Sequence, residues 1–173
     1  LSHATSRILA QVSDYFAESR PDLLVLLGDR FELLAPAAAA VIHRIPIAHI
    51  HGGEVTTGAI DEQVRHAISK LALLHFVSTD EYRTRLLQLG EDPKRVLLVG
   101  APALDSVSEV ALLSREELEE SLGFSLHGPV GLITYHPVTT DLQESERGAS
   151  AIANAVQELN VRAVITGSNA DPG

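Results

Sequence analysis

Four short apolar runs, LLVLL at 23–27, IPIAHI at 45–50, HFVST at 75–79 and RVLLVG at 95–100, alternate with helix-like stretches over the first hundred residues. Each run is too short for a helix and the right length for a strand. Strands separated by single helices join through right-handed crossovers, so the pattern predicts an α/β fold with a parallel sheet. The first run is apolar throughout and closes on Gly28, which predicts a strand covered on both faces.

The intervening segments read as helices. Residues 5–19 place Ile8, Val12, Tyr15 and Phe16 on one face at helical spacing. Residues 31–43 are Ala-rich, with Pro36 a local defect near the first turns. Further helices are expected from Asp61 to residue 74 and over 80–90, where Gly90 is the stop. Ser114-x-x-Glu117 is a capping box opening a short acidic helix through Leu122. GFSLHGP at 123–129 carries two glycines and a proline, a boundary signal. Beyond it a strand (PVGLITYH), a helix (142–159) and a strand (162–167) make a second α/β unit beginning near residue 125.

A formal charge of −10, with no basic run, argues against a nucleic-acid surface, which needs clustered Lys and Arg. Cys is absent, so neither disulfides nor thiolate metal sites are available, as suits a reducing cytoplasm. Charge or His interrupts the apolar stretches before they could span a bilayer, and no signal peptide is expected ahead of them. Met is absent too, and the chain opens on LSHATS and closes on SNADPG, so an internal fragment of a longer protein is expected.

The polar residues of interest cluster just past predicted strand ends, where an open α/β sheet binds its ligand. Asp29 and Arg30 follow the first strand; the carboxylate can act as base or orient a sugar hydroxyl, and Arg30 can grip a phosphate through two bonds. A helix cap with a surface arginine is the plain alternative. In HIHGGEVTTGAIDEQVRH, paired glycines allow close backbone approach to a ligand, and Glu54 sits on the loop they shape. Asp61 and Arg65 lie four apart on the following helix and can form an acid–cation pair on one face, while Glu62 suits the helix dipole. Of the two alternating histidines, His49 is expected in the core and His51 beside the ligand. His136, fixed in direction by Pro137, can donate to a phosphate or act as an acid, and Asn169 and Asp171 take the same place after the last strand. No GxGxxG, GxxxxGK[ST], GxSxG or HExxH occurs, so standard dinucleotide, P-loop, serine-hydrolase and zincin readings have no support.

GDRFELLA, IPIAHIHGGEVTTGAIDEQVRHAISKLALLHFVST, RVLLVGAPALD, TYHPVT and SNADPG, in this order, resemble the hydrolysing UDP-N-acetylglucosamine 2-epimerases of sialic and legionaminic acid synthesis and relatives acting on bacillosamine-type sugars. The resemblance covers nearly the whole chain. It implies a glycosyltransferase-B-like fold of two Rossmann-like parallel-sheet domains, both incomplete here. Residues 1–110 would be the later part of the first domain, 111–124 a linker and short helix, and 125–173 the first part of the second. It further implies anti elimination of UDP through a 2-acetamidoglucal, then water addition giving UDP and N-acetylmannosamine, with no metal or redox cofactor required. Asp29, Glu54, Asp61 and His136 would be catalytic, and Arg30, His51, Arg65, Asn169 and Asp171 would bind substrate. Relatives often carry an acid where this chain has His51, so the base stays open between His51, Glu54 and Asp61. The implied partner is a UDP-sugar, with neither nucleic acid nor membrane, in a cytoplasmic homo-oligomer (dimer or tetramer) using helix 61–74 as a contact. The chain is short for the family, so it is expected to turn over poorly alone. Alternatives are the same chemistry on UDP-diacetylbacillosamine, a non-hydrolysing epimerase, or a silent sugar-nucleotide binding module.

Overall fold

The computed structural model describes residues 2–136 and 142–167, which fall into two compact units, Leu1–Ser108 and Glu109–Gly173. In the first unit the order is α1 (Ser2–Ser19), β1 (Leu24–Leu27), a 3-10 turn (Phe31–Leu33), α2 (Leu34–His43), β2 (Ile47–Ile50), α3 (Ile60–Leu71), β3 (Leu74–Val77), α4 (Asp80–Gln88), a second 3-10 turn (Pro93–Arg95), β4 (Val96–Leu98) and α5 (Pro102–Glu109). The strands form one sheet in the order β1-β2-β3-β4, every neighbouring pair parallel.

The sheet buries one face. Leu26 of β1 and Ile47 of β2 pack with Val64 and Ile68 of α3 and the alanines of α2, and Phe16 of α1 closes the cluster. Four of the α2 alanines are buried, which lets α1 approach closely over a helix built from the residue with the best helix propensity. Pro36 is the third residue of α2, where its missing N–H is one of the donors that has no helical partner in any case. A second cluster, Val77, Leu86 and Val96, seats α4 on β3 and β4. Burying an aliphatic or Phe side chain in this way stabilises the fold by roughly 1.5–3 kcal/mol.

Two expectations are corrected. β1 is not covered on both faces among the described residues: its side chains alternate, and Val25 and Leu27 are 55% and 59% exposed. On α1, Phe16 is buried but its neighbour Tyr15 is 61% exposed, because a 3.6-residue period cannot turn both inward fully. Helix α3 packs Val64 and Ile68 into the unit's own core, while Ile60 at its start stays 48% exposed.

The second unit contains α6 (Arg115–Leu122), β5 (Val130–Ile133), α7 (Leu142–Leu159) and β6 (Arg162–Ile165), with β5 and β6 parallel. The capping box forms as expected: Ser114 Oγ accepts from the Glu117 N–H at 3.2 Å and the Ser114 N–H donates to Glu117 Oε2 at 2.7 Å. Those bonds hold the Glu117 carboxyl below the usual range. The Arg162 guanidinium ties the start of β6 to the carbonyls of Ser125 and His127. Among the described residues no helix is long and apolar enough to cross a membrane.

Candidate active site

In the first unit, the carboxyl ends of three parallel strands bring polar side chains together. Asp29 follows β1, the turn His51–Glu54 follows β2, and Ser78 follows β3. Asp29 is gripped by Arg65, which reaches from the second turn of α3 and also donates to Thr56 Oγ1 at 2.9 Å. The expected Asp61–Arg65 pair does not form; the arginine turns instead to a carboxylate 36 positions earlier in the chain (65 − 29). Arg65 is 5% exposed, and its Nε and Nη1 are buried without a hydrogen-bond partner among the described residues. Burial lowers its pKa, yet a guanidinium stays charged in any physiological range.

Beneath these residues runs a buried hydrogen-bond line. His49 Nε2 donates to the Gly28 carbonyl at 2.8 Å, and because a carbonyl only accepts, that nitrogen carries the proton. Nδ1 then accepts from the Ser69 hydroxyl at 3.0 Å. Burial drives the His49 pKa from the ordinary 6.5 to about 4, so the ring is neutral at pH 7. His49 is thus the core residue expected from its strand position, and it anchors the backbone immediately before Asp29.

The glycine turn sits on this line. A Cβ at Gly52 would stand 2.9 Å from Ser69 Oγ and 3.1 Å from His49 Nδ1. At Gly53 (φ +80°) a Cβ would run into the backbone carbonyl of Tyr82 on α4. The turn closes with His51 in the left-handed region at φ 65°, and His51 Nδ1 lies 2.7 Å from Glu54 Oε1. The same carboxylate oxygen accepts from Ser78 Oγ at 3.2 Å. Arg85 of α4 donates to the Gly53 carbonyl, pairs with Glu81 at 2.8 Å and lies 5.7 Å above the Tyr82 ring.

Asp61, on the first turn of α3, has no side-chain hydrogen bond or ion pair among the described residues. Glu62 accepts from the Thr56 N–H at 3.2 Å and so pins the loop before α3. Arg30 forks onto Glu32 (3.0 and 3.3 Å), which lowers the Glu32 pKa. In the second unit His136 is exposed just past β5, beside Tyr135, whose hydroxyl donates to the Ser145 carbonyl at 3.1 Å. Asn169 and Asp171 lie outside the described residues.

The structure therefore gathers Asp29, Arg65, His51 and Glu54 at one sheet edge, with Arg30 and Asp61 on the flanking helical segments. Ser78, Thr56 and Arg85 were not expected; a lone hydroxyl after a strand, or an arginine on a polar helix, carries no sequence signature. Among the described residues no three His, Asp or Glu side chains converge as metal ligands. A cavity of about 500 Å³ lies elsewhere, lined by Phe16, Arg20, Pro21, His43, Arg44 and Ile45 near the amino ends of β1 and β2. Its Arg20 and Arg44 stand at helix C-termini, where cations suit the dipole.

A family model described as UDP-N-acetylglucosamine 2-epimerase matches residues 1–173. The hydrolysing GDP/UDP-N,N'-diacetylbacillosamine 2-epimerase of Campylobacter jejuni is 39% identical over 172 residues, 99% of this chain and 45% of that protein. The hydrolysing UDP-N,N'-diacetylbacillosamine 2-epimerase of Legionella pneumophila is 35% identical over 173 residues, 100% of this chain and 46% of that protein. The chain thus spans a little under half the length of these curated relatives. The crystal structure of Neisseria meningitidis UDP-GlcNAc 2-epimerase bound to UDP-GlcNAc superposes with a TM-score of 0.82 at 22% identity, covering 97% of this chain and 48% of that one. That likeness shows the fold, the glycosyltransferase-B-like α/β class with parallel sheets expected from the sequence.

Proposed function

Because this chain belongs to the UDP-N-acetylglucosamine 2-epimerase family, we propose that it supplies the acid-bearing part of the site of a hydrolysing UDP-sugar 2-epimerase. The observation that carries this is the glycine turn after β2, which sets His51 and Glu54 2.7 Å apart at the strand end beside the Asp29–Arg65 pair. An elimination needs a base for the C2 proton and cations for the departing diphosphate, and both kinds of group are present.

In this scheme a base takes the proton from C2, the C–H electrons form the C1–C2 double bond, and the C1–O bond breaks with its electrons leaving on UDP. Water then adds its hydroxyl at C1 and a proton at C2 on the opposite face, releasing the free 2-epimer. Glu54 accepts at His51 Nδ1, which turns Nε2 towards the open side of the site; we read His51 as the base and Glu54 as its orienting carboxylate. Asp61, unpaired among the described residues, serves a sugar hydroxyl or the return proton. Arg65 holds Asp29 in place, while its Nε and Nη1 lie buried without a partner among the described residues. Arg30, His136, Asn169 and Asp171 are proposed for the diphosphate and sugar.

The sugar we propose is UDP-N,N'-diacetylbacillosamine, on the strength of the two hydrolysing relatives at 39% and 35% identity, with UDP-N-acetylglucosamine, giving N-acetylmannosamine, as the second choice. We further propose a cytoplasmic homo-oligomer, in keeping with the absence of Cys. The test is incubation of the complete natural polypeptide with each UDP-sugar in D2O, followed by NMR. Release of UDP and a free 2-epimer carrying deuterium at C2 is expected. A product still bonded to UDP would indicate the non-hydrolysing reaction, and binding without turnover would indicate a silent module; either sinks the proposal.

A further inference from the structure

Glu54 owes its position to more than the turn it stands on. Both His51 and Glu54 are about a quarter exposed, and a carboxylate that open to water can rotate about its last torsion and trade its imidazole partner for solvent. Ser78 stands on firmer ground, one residue past β3, whose Val77 is fully buried against α4. Its hydroxyl reaches Glu54 Oε1 at 3.2 Å, the same oxygen that meets His51 Nδ1 at 2.7 Å.

We infer that Ser78 is a positioning residue for the His51–Glu54 pair, resting on the epimerase reading above. By donating to Oε1, the hydroxyl keeps that oxygen facing the imidazole. An ionised carboxylate only accepts, so the proton of the neutral ring stays on Nδ1 and Nε2 stays open to substrate. The backbone is fixed independently by α4, where Arg85 holds the Gly53 carbonyl and Tyr82 blocks any side chain at Gly53. Helix α4 therefore sets where the turn lies, and Ser78 sets which nitrogen of His51 is free. A third group that orients the partner of a reactive imidazole is a recurring arrangement, and losing such an outer contact costs about 10- to 100-fold in function.

The test uses the complete natural polypeptide with 15N-labelled histidine and two variants, Ser78→Ala and Ser78→Thr. Long-range 1H–15N correlations read the tautomer of His51 directly, and steady-state kinetics on the UDP-sugar read kcat and KM. The wild-type protein and Ser78→Thr are expected to hold the Nδ1–H tautomer. Ser78→Ala is expected to populate both tautomers and to lose about tenfold in kcat with little change in KM. A Ser78→Ala protein that keeps the Nδ1–H tautomer overturns the inference, whatever its activity. So does a Ser78→Thr protein that behaves like the alanine variant although its melting curve matches wild type. If the tautomer shifts in Ser78→Ala but wild type turns over no UDP-sugar, the positioning stands and the epimerase reading alone falls.

Discussion

Acid should weaken this protein through His49, by an amount the structure sets. The ring is fully buried, and burial lowers its pKa from 6.5 to about 4, against the ordinary value it regains on unfolding. The unfolded state therefore binds the proton first. Stability from this group is complete above pH 6.5 and is lost as pH falls from 6.5 towards 4. At pH 5 the loss relative to pH 7 is about 2 kcal/mol, and below pH 4 it reaches a ceiling of about 3 kcal/mol for a shift from 6.5 to about 4. His75 is buried and lowered in the same direction, so the measured slope belongs to more than one group. A difference of differences isolates His49. Urea unfolding followed by circular dichroism at pH 7 and pH 5 is run on wild type and on His49→Asn, whose amide cannot titrate. The variant is expected to be less stable at pH 7, because Ser69 and the Gly28 carbonyl lose a partner, but its pH 7-to-5 loss should be smaller than wild type's by about 2 kcal/mol. Equal losses in the two proteins would refute the burial argument.

Gly53→Ala forces a Cβ into the Tyr82 carbonyl at φ +80°, and the left-handed strain alone costs about 1–2 kcal/mol, so a fall in urea midpoint is expected together with loss of activity. Arg65→Met strips Asp29 of its buried cation; a destabilisation of about 3 kcal/mol or more is expected, and a variant as stable as wild type would show that the pair is not structural. Asp61→Asn should leave the melting temperature within a degree or two, since the side chain has no partner among the described residues, while lowering kcat about a hundredfold or more. Ser114→Ala removes the capping box and should cost the second unit about 1 kcal/mol by urea titration.

The strands and helices were legible because local pattern decided them: a five-residue apolar run cannot be a helix, and Ser114 with Glu117 caps one wherever it occurs. What escaped was set by tertiary partners. Whether β1 is covered on one face or two depends on helices that no strand pattern encodes, and Val25 shows the result. Arg65 was read against its nearest helical neighbour, Asp61, although the chain crossing from β1 offered it Asp29 instead. Helix α5 carried no periodic signal strong enough to be expected. Ser78 could not be picked out at all, since its significance lies in a carboxylate 24 residues earlier (78 − 54) that only the fold brings near.

Gly52, His49 and Ser69 share one small volume, and that sharing restricts how the sequence can vary. A methyl group at Gly52 needs both Ser69 Oγ and His49 Nδ1 to retreat; a larger residue at Ser69 fills the space the glycine leaves; any residue at 49 without a ring nitrogen strands the hydroxyl and the Gly28 carbonyl. Each single substitution is penalised by the other two, so effects at these positions will not add. Viable change there comes as a set, and the three positions drift together or stay fixed. Because Gly28 leads into Asp29 and Gly52 into Glu54, the same constraint ties the mutational freedom of the two acid loops to one another through a core that touches neither carboxylate.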